Sequence, residues 1–148
     1  MKTSIRLLQG VLLLFVVGGS VSATVAAAAT QTEPVTVHML VMVDRSSPED
    51  WMVAMNLLRH TIRYQGIDHS ELELMAIGPG MKLLLKGTPY AQDIQSLAQY
   101  GVQFVLCRRN LAAAHIPVAR AAAGVGIVGD SVVELQRRQS EGWVIAWP

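Results

Sequence analysis

The sequence predicts an α/β protein built on a doubly wound, mostly parallel sheet of about five strands. Three observations carry that expectation. Residues 35–43 are apolar except for Thr36 and His38, the composition of a strand buried on both faces, as parallel strands are. Short β-type runs then alternate with segments that open on helix-capping residues, the order of a βαβ chain. Aromatic residues make up only 5% of the chain, so its apolar half is mostly small and aliphatic, which suits helices packed closely on a sheet.

Residues 1–29 read as an export signal. Lys2 and Arg6 form a basic start, Val11-Leu12-Leu13-Leu14-Phe15-Val16-Val17 an apolar centre, and small residues offer cleavage near position 23 or 29. The rival reading is an uncleaved anchor, because residues 11–29 carry no charge. Removal of the segment leaves one domain, residues 30–148, in a periplasmic or secreted setting. Two of the 12 basic residues go with the signal and none of the 11 acidic ones, so the mature net charge is −1. A near-neutral chain without a basic stripe gives no electrostatic reason to bind nucleic acid. No later apolar stretch approaches spanning length, so no membrane contact is expected after cleavage.

After the first strand, Asp44-Arg45-Ser46-Ser47 turns the chain. Ser47-Pro48-Glu49-Asp50 then opens a helix with an N-cap serine, proline at the first helical position and a carboxylate at the capping-box position. Trp51, Ala54, Met55, Leu58 and Ile62 give it one buried face, and Gly66 is its stop. Residues 71–77 form the second strand, broken by Gly78-Pro79-Gly80. One or two helical turns are expected over residues 81–86. Thr88-Pro89 repeats the cap-then-proline opening for a helix that buries Ile94, Leu97 and Ala98 and closes at Gly101. Residues 102–106 are the third strand. The Ala-rich segment 111–123, interrupted by Pro117, reads as a loop followed by a short helix. Gly126-Ile127-Val128 is a very short strand, Ser131 with Glu134 a capping box for a helix to about Ser140, and residues 143–147 the last strand. Trp143, Ile145 and Trp147 share one side of it, either filling the core or meeting another subunit.

The only cysteine, Cys107, falls at the end of the third strand with Arg108 and Arg109 directly behind. Ligands and reacting groups sit at the carboxyl end of strands in an open α/β sheet. A thiol there, beside cations or a helix N-terminus, has its pKa pulled down toward the thiolate. A single cysteine excludes an internal disulfide, leaving a buried inert thiol, an inter-chain pair or a reactive group. Gly78 and Gly80 also end a strand and can turn N–H groups toward an anion or form a plain turn. Asp44 belongs to the same end of the sheet. The four histidines lack zinc-ligand spacing, and His38 with nearby methionines reads as core rather than a soft-metal site, so no metal or cofactor is expected. Gly124-Val125-Gly126-Ile127-Val128-Gly129 matches a dinucleotide fingerprint in letters, but it follows an Ala-rich segment in place of the first strand of a βαβ unit, and only 19 residues come after Gly129, so its glycines read as a tight passage into the last helix.

Gly78-Pro79-Gly80, Gly101-Val102-Gln103-Phe104-x-x-Cys107 and Val132-Val133-Glu134-Leu135-x-x-x-Gln139-x-Glu141-Gly142-Trp143, in that order, resemble the DsrE/DsrF-like family across the mature chain. The resemblance implies a flavodoxin-like three-layer α/β/α fold and assembly into homo-oligomers. It also implies, for the sulfur-relay branch, a persulfide carried on the cysteine at the position of Cys107, with a thiol-bearing protein as donor or acceptor. Arg108, Arg109 and Asn110 would then support the thiol, and Asn56 matches a position that is usually Asn. Related exported proteins follow the cysteine with x-Asn-Thr-Leu, whereas Arg109 and Asn110 precede Leu111 here. Three functions follow: an exported sulfur carrier or sulfurtransferase-like protein acting through Cys107, a non-catalytic oligomeric binding protein with a structural Cys107, and a metal or redox accessory protein.

Overall fold

A computed structural model describes residues 35–148; the expected export signal lies outside them. Five strands form one sheet: β1 (Val37–Val43), β2 (Ser70–Ala76), β3 (Gln103–Cys107), β4 (Val125–Val128) and β5 (Val144–Ala146), in the order β4-β3-β2-β1-β5 and all parallel. Four α-helices accompany them, α1 (Pro48–Gln65), α2 (Ala91–Gln99), α3 (Arg108–Ala113) and α4 (Ser131–Ser140), giving the flavodoxin-like three-layer arrangement. The chain steps β1 to β4 in one direction and then returns past β1 to place β5. A right-handed crossover on that return puts its helix on the opposite face from the others.

The core divides accordingly. Val41, Val43, Leu72, Leu74, Phe104 and Leu106 point from the sheet toward Met55 and Leu58 of α1, Ile94 and Leu97 of α2 and Leu111 of α3. The alternate residues Leu40, Met42, Met75 and Val105 meet Trp143 and Leu135 on the α4 side. Trp143 is therefore core, Ile145 packs beside it, and Trp147 is 55% exposed; the two tryptophans flank β5, and the three residues expected on one side of the last strand do not share one fate.

On the α4 side the sheet also buries charge. Glu73, wholly buried, is paired with Arg138, whose Nε donates to Oε2 at 2.8 Å. Arg138 also donates to Gln103 Oε1 at 2.9 Å and lies 3.8 Å from the centre of the Trp143 ring. The register sets Leu40, Glu73 and Gln103 side by side across three strands, so the pair occupies the middle of the layer. Burial pushes the Glu73 carboxyl up, and Arg138 only partly pulls it back.

Several helix boundaries differ from the sequence reading, each for a local reason. Ser47 caps α1 as expected, accepting from Asp50 N at 3.2 Å. Thr88 does not cap α2: its Oγ1 accepts from Tyr90 N, a turn that delays the helix to Ala91. Residues 78–84 coil as a 3-10 stretch starting at Gly78, earlier than expected. The segment after Cys107 is helical at once, with a single 3-10 turn (Val118–Arg120) beyond Pro117, the reverse of loop-then-helix. Asp130, not Ser131, caps α4, accepting from Val132 N at 2.8 Å. Glu134 consequently pairs with Arg137 and Arg138 instead of closing a capping box.

Gly80 is required sterically. A Cβ there would stand 2.3 Å from Val43 O and 2.7 Å from Val43 C, both backbone atoms of β1 that cannot step aside. Gly80→Ala is expected to destabilise the fold by about 1–3 kcal/mol, the range for overpacking, measured as a fall in the urea midpoint at unchanged slope.

Candidate functional site

Cys107 ends β3 and is also the residue from which α3 starts. Its side chain lies on the α4 side, because Val105 and Cys107 alternate with Phe104 and Leu106. The β3–β4 register pairs Cys107 with Val128, which brings the start of α4 alongside. Two backbone N–H groups converge on the sulfur: Asn110 N at 3.4 Å and Ser131 N at 3.2 Å. The first belongs to the opening turn of α3 and the second to the first residue of α4, where N–H groups lack helical partners. The thiol faces Gly129 O at a long 4.0 Å.

The electrostatic outcome follows from these contacts. Burial pushes the thiol up, but the hydrogen bonds from Asn110 and Ser131 outweigh it and hold Cys107 below the ordinary cysteine value. A thiolate accepts both N–H bonds more strongly than a neutral thiol does, since bonds to a charged acceptor are the stronger kind. Cys107 has 0% exposure, so it ends its strand as expected but is not open to solvent. Asn110 Nδ2 bonds Ser131 Oγ at 3.2 Å, and both residues line a 370 Å³ groove with Arg109, Ala113, Asp130 and Val132. One layer of side chains thus separates the sulfur from the groove.

The arginines behind the cysteine act differently from the sequence reading. Arg109, 80% exposed, pairs with Asp130 at 2.7 Å, so it steadies the cap of α4 instead of touching sulfur. That hydrogen bond raises the Arg109 guanidinium and lowers the Asp130 carboxyl. Arg108 points to solvent and has no ion-pair partner among the described residues. The donors to sulfur are main-chain groups, which a residue-type search does not see. Asp130 and Ser131 were the missed residues; the legible signal was Asp130 before an apolar-periodic run, a cap as good as serine.

Of the other candidates, Gly78 and Asn110 share a mostly apolar 490 Å³ groove with Pro79, Met81, Lys82, Ala113, Ala114 and Ile116. Gly78 has φ +46, and a Cβ on it would come 3.8 Å from Asp44 O, so Asp44 borders this end of the sheet as expected. Gly80 packs against β1 and lines no groove at the thiol. Asn56 is remote from this constellation: it lies on the exposed face of α1 and accepts from Arg59 at 3.1 Å. Among the described residues no three His, Cys, Asp or Glu side chains cluster as metal ligands do, and no helix is long and apolar enough to cross a membrane.

No family model and no curated protein matches the sequence. Solved structures do match in fold. MTH1491 of Methanobacterium thermoautotrophicum, a protein of unknown function, superposes with a TM-score of 0.71 at 23% identity, over 76% of this chain and 99% of its own. The ychN protein of E. coli gives 0.62 at 18% identity, over 76% and 100%. BT1422 of Bacteroides thetaiotaomicron, also of unknown function, gives 0.57 at 14%, over 75% and 95%. At these identities the likeness establishes the fold and leaves the chemistry to the site.

Proposed function

We propose that the chain is an exported, self-associating DsrE/DsrF-like protein that carries sulfane sulfur on Cys107. The observation that carries the reading is the pair of backbone N–H groups aimed at one sulfur from the starts of two helices. In the reaction, the Cys107 thiolate attacks the outer sulfur of a donor persulfide. The donor S–S bond breaks, the donor leaves as its thiolate, and a Cys107 persulfide forms. Attack by an acceptor thiolate on that outer sulfur restores the Cys107 thiolate, with no net oxidation or reduction. The N–H groups serve whichever sulfur carries the negative charge.

Self-association draws support from exposed Val132, Val133, Val144 and Trp147 on α4 and around β5. Export rests on the basic start and apolar centre of residues 1–29. Enclosure of the thiol in an oligomer would protect it from the sulfenic acid formation that an oxidising compartment favours.

The test is intact-mass spectrometry of the mature protein after incubation with a sulfane-sulfur donor. The expected result is a reducible gain of one sulfur on the native chain and none on Cys107→Ser. The full burial of the sulfur favours a second reading, a non-catalytic protein whose thiol only caps α3. Under that reading no adduct forms and Cys107 resists alkylation.

A further inference from the structure

Five of the ten lysines and arginines in the described residues have no ion-pair partner there, and three of those five, Lys82, Lys86 and Arg120, line one 280 Å³ pocket. Its other walls are Trp51, Leu85, Gly87, Thr88 and Pro89, with no acidic residue among them. The convergence is built by the backbone. Leu85 and Ala121 form an antiparallel bridge, flanked by Lys86 N to Arg120 O at 2.8 Å and Ala122 N to Leu84 O at 2.9 Å. That register sets Lys86 directly opposite Arg120. Like charges placed opposite across a strand pair disfavour the pairing, so an anion between them would offset a repulsion the backbone register imposes.

The remaining walls suit a ligand. Thr88 is 9% exposed, its oxygen accepts from Tyr90 N, and its hydroxyl proton remains to be donated. The Trp51 indole N–H is occupied by Arg45 O at 2.8 Å, so Trp51 contributes an apolar wall and no competing donor. Gly87, at φ +92, makes the turn that brings Thr88 back beneath the cations.

We propose that this pocket binds a small tetrahedral dianion of the phosphate or sulfate type, free or as the charged end of a small ester. Lys82, Lys86 and Arg120 neutralise it, with the guanidinium supplying paired donors and Thr88 a further hydroxyl bond. The site is independent of the Cys107 chemistry, so neither reading depends on the other.

The test is calorimetric titration of the full chain with inorganic phosphate, and with phenyl phosphate, at ionic strength matched by chloride. Saturable binding is expected, weakened at least tenfold in Lys86→Gln/Arg120→Gln and unchanged in Arg63→Gln, which removes an exposed unpaired cation elsewhere. Tighter binding of phenyl phosphate identifies an ester as the ligand class, and equal binding identifies the free ion. Phosphate should also raise the melting temperature of the native chain and not that of the double variant. In chloride alone the double variant, relieved of the like-charge pair, should melt no lower than the native chain. Absence of saturable binding, or equal binding by the native chain and the double variant, overturns the proposal.

Discussion

Arg138→Met is expected to destabilise the protein by about 3–5 kcal/mol, because it leaves the carboxylate of Glu73 buried without its counter-ion. For a domain of this size that is a loss of roughly 12–20 °C in melting temperature. The wild-type pair is closely made: Arg138 reaches Glu73 through two nitrogens, bonds Gln103 and lies on Trp143. Among the described residues Glu73 Oε1 nevertheless has no hydrogen-bond partner, so even the intact pair leaves one carboxylate oxygen unsatisfied. Glu73→Met combined with Arg138→Met should therefore recover most of the loss, since a buried ion pair replaced by apolar residues is often neutral.

The pH dependence has a definite sign. Burial raises the Glu73 carboxyl above its ordinary value, so the folded chain binds that proton more tightly than the unfolded chain. Its contribution favours folding at pH below the unfolded value and is lost as pH rises through the folded one. In Arg138→Met the opposing cation is gone, so the deficit should shrink on acidification and grow toward neutrality, read as melting temperature against pH. A deficit that is flat with pH would assign the loss to the Trp143 contact instead.

An ester in place of the Asp130–Ser131 amide, which removes the Ser131 N–H and keeps the side chain, is expected to slow alkylation of Cys107 at neutral pH by about tenfold or more, the worth of one hydrogen bond to a charged acceptor. Proline cannot serve here: its Cδ would take the place of the hydrogen aimed at the sulfur and overlap it. The ester oxygen needs no such room, and Ser131 is the first residue of α4, where no helical bond is lost with its N–H. What disappears is the 3.2 Å N–H to sulfur. Ser131→Ala removes only the hydroxyl that accepts from Asn110, and so should leave the thiol's pH midpoint close to wild type while the ester moves it up. Stability should change by no more than about 1 kcal/mol in either, because the Asp130 cap remains.

The layers of this fold were legible because period and punctuation agree. The unbroken apolar run before Asp44, the Ser47-Pro48 opening and the glycine stops at Gly66, Gly101 and Gly142 each mark a boundary that the backbone uses. Less legible were places where two signals compete. Thr88 looked like a cap but its hydroxyl closes a turn instead, and Ser131 looked like a cap beside an aspartate that does the work better. The cysteine could be located at its strand end from sequence, yet its partners could not be named. They are main-chain N–H groups brought together by a β3–β4 register that no local pattern encodes. Glu73 and Arg138 stand 65 residues apart, and only the return of the chain to β5 makes them neighbours.

The pH profile of iodoacetamide alkylation at Cys107, followed by intact mass on the native full chain, tests the account at its centre. The account predicts modification without unfolding, with an inflection below the ordinary thiol value of about 8.5. It is contradicted if Cys107 reacts only after the chain is unfolded, or if the native inflection coincides with that of the unfolded chain.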